Sequence, residues 1–455
     1  MAARIVDAAF ALVYLRLLGR TDVGAYTFLV VFTTYLDTLI DFGLNALLAR
    51  DISRGSVGAS AAFRVVSGLR VGLWLVGLPL VAIVYGPLRE RTNISTEAAL
   101  AGWVFYAALL PSVVAKTASG LLWAAERLDL TAAVSILATV LRTVLGAVVL
   151  FGGLGLVGLA ATSLATNVVT ALVLWGFATR RAMATQGPSA AHTAWLRQSW
   201  PLFLNQLLQG LFFKVDALLL PGLAGTAAAG AYAAAYKVSE GAGIVSSSFT
   251  LALFPRLSRG SDLSAAYRLA LRGLLQIAFP LAAGIALLSE PIVAVVGGRD
   301  YLPDSAIALA ILIAYLPLSY ANGLTQYVLI AAGRQRLLTG AFVAALLFNV
   351  AANLVLIPRF GYVGAAWVTV ASEVVLLVPF RLAALRVAPG VSLPREARTP
   401  LLATLLMAPV VWWLRDAIHP LAAVAAGAVV YPLALWSLGG IDAAQRKLIA
   451  QLVSS

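Results

Sequence analysis

Residues 130–158 read LTAAVSILATVLRTVLGAVVLFGGLGLVG, and this stretch decides what kind of molecule the chain is. Between Leu130 and Phe151 a single charged residue, Arg142, interrupts an apolar run. Crossing ~30 Å of hydrocarbon takes ~20 helical residues, so the run is long enough to span a bilayer. Gly152 and Gly153 end it, and Gly155 opens the next. A charge at mid-bilayer costs at least ~2.5–3.5 kcal/mol, so the arginine implies a partner or a water-filled space beside it.

The same pattern extends in both directions. The 455 residues are 61% hydrophobic and 11% charged, with a mean hydropathy of +0.94, where a soluble chain holds about a quarter charged residues. Helical runs are predicted at about 2–18, 24–49, 62–85, 98–125, 130–152, 156–178, 200–222, 229–254, 266–289, 304–332, 336–357, 362–385, 399–415 and 420–438. The predicted fold class is all-α, a polytopic membrane protein of about 14 transmembrane helices. The first run begins almost at Met1 without the basic stretch and cleavage site of a secretory leader, and reads as a retained helix.

The chain also repeats itself. Adding 206 carries Gly24-Ala25-Tyr26 onto Gly230-Ala231-Tyr232, Leu110-Pro111 onto Leu316-Pro317, and Gly155, Val157 and Gly158 onto Gly361, Val363 and Gly364. With a small loop shift, Ser53-Arg54-Gly55 recurs as Ser258-Arg259-Gly260. An even number of helices per repeat makes the two six-helix halves parallel, related by an axis along the membrane normal. The expected organisation is an N-lobe over 1–180, a C-lobe over 200–385, an appended helix pair over 398–440 and a cytoplasmic tail over 441–455. Lys and Arg in short loops stay cytoplasmic. Placing both termini inside puts Arg50, Arg54, Arg180, Arg181, Arg334, Arg336, Arg395 and Arg398 there, with Arg446 and Lys447 of the tail. Only Arg20, Arg89, Arg91, Arg299, Arg359 and Arg415 are then outside.

Composition closes off several functions. There is no cysteine, hence no disulfide, thiolate nucleophile or cysteine metal site, and the two histidines, His192 and His419, fall in connecting segments. This argues against a His-based metal or general-base site and leaves one built only from carboxylates open; no catalytic residue, metal or cofactor is expected. The net charge of +13 is spread between apolar runs rather than gathered on a soluble face, which argues against nucleic acid.

The candidate site residues are the charges inside the runs. Ser112, Lys116, Ser119 and Trp123 share one helical face, and Ser135, Thr139, Arg142 and Gly146 share another. Lysine is rare here, yet Lys116, Lys214 and Lys237 are all intramembrane, where a compact ammonium suits an anion-binding or titratable site. Arg70 and Arg272 lie about two turns inside their helices, deep enough to line an inward-facing mouth; Arg64 and Arg268 sit nearer the ends and read as snorkelling side chains. The acids Asp37, Asp41, Asp216, Glu240 and Glu373 are candidates for ion coupling, with H+ or Na+ as the ion, against a plain helix-packing role. Lys237 and Glu240, three apart, are expected to pair. Prolines 79, 111, 280, 317 and 379 supply bending points.

The run Arg16-Leu17-Leu18-Gly19, then Gly24-Ala25-Tyr26, Asp41-Phe42-Gly43-Leu44 and Arg50, resembles the opening of bacterial polysaccharide lipid flippases of the Wzx type. Those belong to the multidrug/oligosaccharidyl-lipid/polysaccharide exporter superfamily. Phe254-Pro255-Arg256 and Gly361-Tyr362-Val363-Gly364-Ala365-Ala366 are similar to that family's second half. The resemblance implies alternating access, a bacterial inner membrane, an undecaprenyl-diphosphate-linked oligosaccharide as substrate, and other polysaccharide-assembly proteins as partners. A cationic interior suits that anion. A cation-coupled multidrug exporter of the same superfamily, which calls for an acidic interior, is the alternative. A membrane enzyme acting on lipid-linked glycans is disfavoured by the shortness of the outer connections.

Overall fold

The computed structural model of the protein describes residues 2–90, 92–181, 192–259 and 263–441. Residues 442–455 of the expected tail, Arg91, and Gly260 of the second Ser-Arg-Gly copy lie outside these. The described residues form helices α1 (Ala2–Leu17), α2 (Arg20–Asp41), α3 (Leu44–Ser53), α4 (Ala59–Tyr85), α5 (Thr96–Ala107), α6 (Leu109–Ala124), α7 (Leu128–Phe151), α8 (Gly155–Arg181) and α9 (His192–Ala224). There follow α10 (Thr226–Arg259), α11 (Leu263–Leu287), α12 (Ser289–Val296), α13 (Asp304–Leu312), α14 (Leu316–Ala331), α15 (Gln335–Val387), α16 (Leu393–Ala417) and α17 (Pro420–Ser437). No strand occurs among the described residues. Eleven of their helical spans are long and apolar enough to cross a membrane. Counting α1, α10 and both limbs of α15 brings the successive segments to the fourteen expected.

The repeat shows in the irregularities as well as in the helices. Pro111 and Pro317 each lack the N–H that would bond the carbonyl four residues earlier, and each follows a break in its span. The first break is at Ala108, between α5 and α6; the second is the 3-10 turn Ile313–Tyr315, between α13 and α14. Gly155 and Gly361 both turn the chain with positive φ, 52° and 56°, a region open to glycine. Beyond each turn a glycine lets the returning helix approach: a Cβ on Gly158 would stand 2.7 Å from Leu154 Cβ, and one on Gly364 2.5 Å from the Leu356 carbonyl oxygen. α15 is therefore two helices folded at Gly361.

Some boundaries differ from expectation for physical reasons. The run predicted at 24–49 breaks at Phe42 and Gly43, both left-handed, so α3 leaves the axis of α2. α9 starts at His192 rather than near 200 because Trp195 and Ser199 are buried and extend its packed face.

The chain separates into two compact units, Met1–Ala233 and Ala234–Ser455. The first holds α1–α9 with the opening of α10, and one of its cores joins Leu44, Leu48, Val66, Ala118, Leu121 and Leu122 across α3, α4 and α6. In the second, the appended pair α16–α17 packs on the end of α11 through Leu288, Met407, Val411 and Tyr431. Polar bonds fix that pair: Tyr431 donates to the Gln276 carbonyl at 2.7 Å, and Arg415 to the Leu287 carbonyl at 2.6 Å. Large apolar side chains such as Leu137, Val148, Phe151, Leu405 and Trp413 point outward, an arrangement suited to a hydrocarbon solvent.

Candidate functional site

α2 carries Asp37 and Asp41 one turn apart, on the side that meets α4 and α6. Asp41 receives Arg70 of α4: Nη2 donates to Asp41 Oδ1 at 2.7 Å and to Asn45 Oδ1 of α3 at 2.9 Å, while Nη1 donates to Thr117 Oγ1 of α6 at 2.8 Å. Arg70 is completely buried, with both Nη groups committed, so it knits four helices together. That differs from the inward-facing mouth expected of it: two turns from the helix end places it in the packed interior, not at a surface.

One turn along α2, Asp37 Oδ2 accepts from Lys116 Nζ at 2.7 Å. Both partners are less than a third exposed, 28% and 31%. Asp37 Oδ1 has no partner, nor do the buried hydroxyls of Thr33, Ser67 and Ser112. Lys116 and Thr117 are adjacent in sequence, so from consecutive residues α6 donates to Asp37 and accepts from the Arg70 that holds Asp41.

Arg142 is different. It is exposed near the middle of α7, and no ion pair or hydrogen bond to it occurs among the described residues. Gly146, one turn on, packs under Phe10 of α1, where a Cβ would stand 2.6 Å from the ring.

The remaining candidates fall into separate places. Asp216 is buried in the first unit, accepting from Tyr232 at 2.5 Å and from the Ala217 amide at 2.8 Å. Lys214, two residues earlier, is half-buried. In the second unit Lys237 and Glu240 form a local pair at 3.1 Å. Arg272 of α11 meets Glu396 of α16 at 2.8 Å, with Glu396 almost wholly buried, so this cation anchors the appended helices instead of lining a mouth. Glu373 is buried in α15, where Asn322 Nδ2 of α14 donates to its Oε2 at 2.7 Å and its backbone oxygen at 2.9 Å. Beside it run Asn353 to Asn349 at 2.7 Å and Asn349 to Ser372 at 2.9 Å, a polar chain inside the unit. Among the described residues no group of three or more His, Cys, Asp or Glu is placed to hold a metal ion.

Sequence reasoning did not pick out Asn45, Thr117, Asn322, Glu396 or Arg381. The last lies inside α15, half-buried, with its Nη1 lacking a partner and its charge beside the Tyr267 hydroxyl. Arg381 was legible as a charge within an apolar run; the neutral partners carry no such mark.

A family model described as "Polysaccharide biosynthesis protein" matches residues 1–261. No curated protein sequence matches the chain. Among solved structures, the lipid II flippase MurJ in an inward closed conformation is similar with a TM-score of 0.80 at 14% identity, over 95% of this chain and 96% of that one. An inward-facing multidrug resistance MATE family transporter of the MOP superfamily gives 0.63 at 18% identity, over 85% and 94%. A Vibrio cholerae MATE transporter gives 0.57 at 15%, over 85% and 94%. The fold is thus shared with these structures, which are those of a flippase and of transporters.

Proposed function

This chain belongs to the polysaccharide biosynthesis protein family, and from that premise we propose that it is a flippase. Its cargo in this reading is a lipid-linked oligosaccharide of the undecaprenyl-diphosphate type, moved from the inner to the outer leaflet by alternating access. The observation that carries the reading is Arg142, an exposed cation near the middle of a membrane-crossing helix with no carboxylate beside it among the described residues. Such a charge is tolerable only where water or an anion reaches it. A diphosphate offers several strong acceptor oxygens, and a guanidinium matches two of them at once. Lys116, partly exposed and held by one carboxylate, supplies a second cation that an arriving anion can draw away.

The rest of the reading follows from charge and repeat. Both termini are cytoplasmic, the membrane is the bacterial inner membrane, and the repeated halves 1–180 and 200–385 act as the two lobes. H+ or Na+ drives the cycle through one of the buried acids, and no catalytic step is involved. The multidrug alternative, which calls for an acidic interior, is disfavoured because Asp37, Asp41, Asp216, Glu240 and Glu373 each already accept from or pair with a neighbouring group.

The test uses purified protein in liposomes with a fluorescent diphosphate-linked lipid. Arg142→Ala should lower transport about tenfold, the loss of one charge-assisted contact of ~1.4 kcal/mol or more, and Arg142→Glu should lower it further. Unchanged transport in both variants at normal membrane abundance would sink the proposal.

A further inference from the structure

The Gly-Ala-Tyr motif that occurs twice in the sequence meets itself in the structure, inside the first unit. Gly24 of α2 lies against the first turn of α10: a Cβ there would collide with the Thr226 carbonyl oxygen and stand 2.8 Å from the Gly230 nitrogen. A Cβ on Gly230 would collide with the Arg20 carbonyl oxygen and stand 3.2 Å from the Gly24 nitrogen. The two contacts are reciprocal under the 206-residue offset, which takes position 20 to 226 and position 24 to 230. One surface is meeting its own duplicate, as at a two-fold axis. Glycine is required on both sides, since only its missing side chain lets two backbones approach so closely.

Side-chain bonds lie at and beside this crossing. Arg20 Nε donates to the Ala227 carbonyl at 2.8 Å, and Asn93 Nδ2 to the Pro221 carbonyl at 3.1 Å. The opposite end of α2, with α3 beyond it, is held by side chains. Phe42 stacks on Phe203 at 4.4 Å between centroids, Arg50 donates to Gln198 at 2.8 Å, and Trp195 to Asp51 at 3.0 Å. The two ends are therefore closed by different means, with the partly exposed Lys116–Asp37 pair at a level between them. The charge distribution puts the glycine end outside.

We propose that the Gly24–Gly230 crossing is the outer gate of the transport path, a backbone latch that parts to release the headgroup. It rests on the flippase reading. With no side chain between the helices at Gly24 and Gly230, the backbones there are either in contact or apart. Closing needs both glycines; opening breaks the Arg20–Ala227 hydrogen bond.

The chain contains no cysteine, so introduced thiols react alone. Arg20→Cys with Ala227→Cys, joined in the membrane by a short flexible bismaleimide, should lose transport at least tenfold, while each single-cysteine protein treated alike keeps its own rate. Full transport by the joined protein overturns the proposal. A second measurement needs no substrate. With Thr33→Cys as reporter, Gly24→Ala and Gly230→Ala should raise labelling by a membrane-impermeant maleimide from the outer side severalfold, because a methyl group holds the seam apart. Unchanged labelling in alanine variants of normal abundance also overturns it. If the unmodified protein moves no lipid-linked oligosaccharide, the flippase reading fails, and the labelling result still decides whether the crossing is a gate.

Discussion

Arg70 and Lys116 answer to carboxylates one turn apart on the same helix, yet they are held in opposite ways. Arg70 is wholly buried and donates to Asp41, Asn45 and Thr117, residues from three other helices. Lys116 bonds Asp37 alone, and both side chains are partly exposed. A buried ion pair adds little net stability, because desolvation offsets attraction, but it penalises heavily the loss of one member. A partly exposed pair is penalised less for losing a member. The difference separates a charge that organises helices from one that can change partners, within ~6 Å along one helix axis.

The sharpest way to break this distinction is at Arg70. Arg70→Met strands the Asp41 carboxylate among apolar helices and should cost ~3–5 kcal/mol, seen as loss of protein from the membrane. Adding Asp41→Leu should recover abundance, since the pair is then replaced by packing of similar size. If Arg70→Met alone accumulates normally, the four-helix tie is not structural.

Next in size is the anchor of the appended pair. Arg272→Ala leaves the nearly buried Glu396 without its cation, but Arg272 is itself a quarter exposed, so the expected cost is smaller, ~1–3 kcal/mol. Protease sensitivity of the chain beyond Ala388 should rise before the rest of the protein loosens. Uniform destabilisation would place Arg272 with Arg70 as a general tie.

Gly361→Ala is expected to cost ~1–2 kcal/mol through its positive φ, and Gly155→Ala a similar amount. Equal shifts in thermal midpoint would support the two turns as copies of one device; a large inequality would limit the repeat to sequence.

These examples show what was readable beforehand. Span number, the 206-residue offset and the paired turns could be read because glycine, proline and apolar length act locally. The partners of the charges could not: Arg70 finds Asn45 and Asp41 25 and 29 residues away, and Lys116 finds Asp37 79 away. Helical spacing shows which residues share a face, not which face meets which. Hence Lys116 and Arg142 looked alike as mid-helix cations, although one has a carboxylate and the other has none among the described residues.

The smallest effect on stability, and the largest on function, belongs to the Lys116–Asp37 pair. Removing either member leaves a charge that water still reaches, so Lys116→Ala and Asp37→Asn should each change stability by less than ~1 kcal/mol and leave membrane abundance near normal. Their effects on ligand should have opposite sign. In the resting pair Asp37 competes with any anion for the ammonium, so Asp37→Asn frees Lys116 and should tighten diphosphate binding severalfold. Lys116→Ala removes the cation and leaves the acid, so binding should weaken by more than Asp37→Asn strengthens it. Tighter binding in Asp37→Asn need not speed transport, because a headgroup held too firmly leaves slowly, and turnover is expected to fall in both variants. Equilibrium binding of inorganic diphosphate to purified protein separates the two cases. If both substitutions shift affinity in the same direction, Lys116 is tied to Asp37 as Arg70 is to Asp41, and the contrast between them disappears.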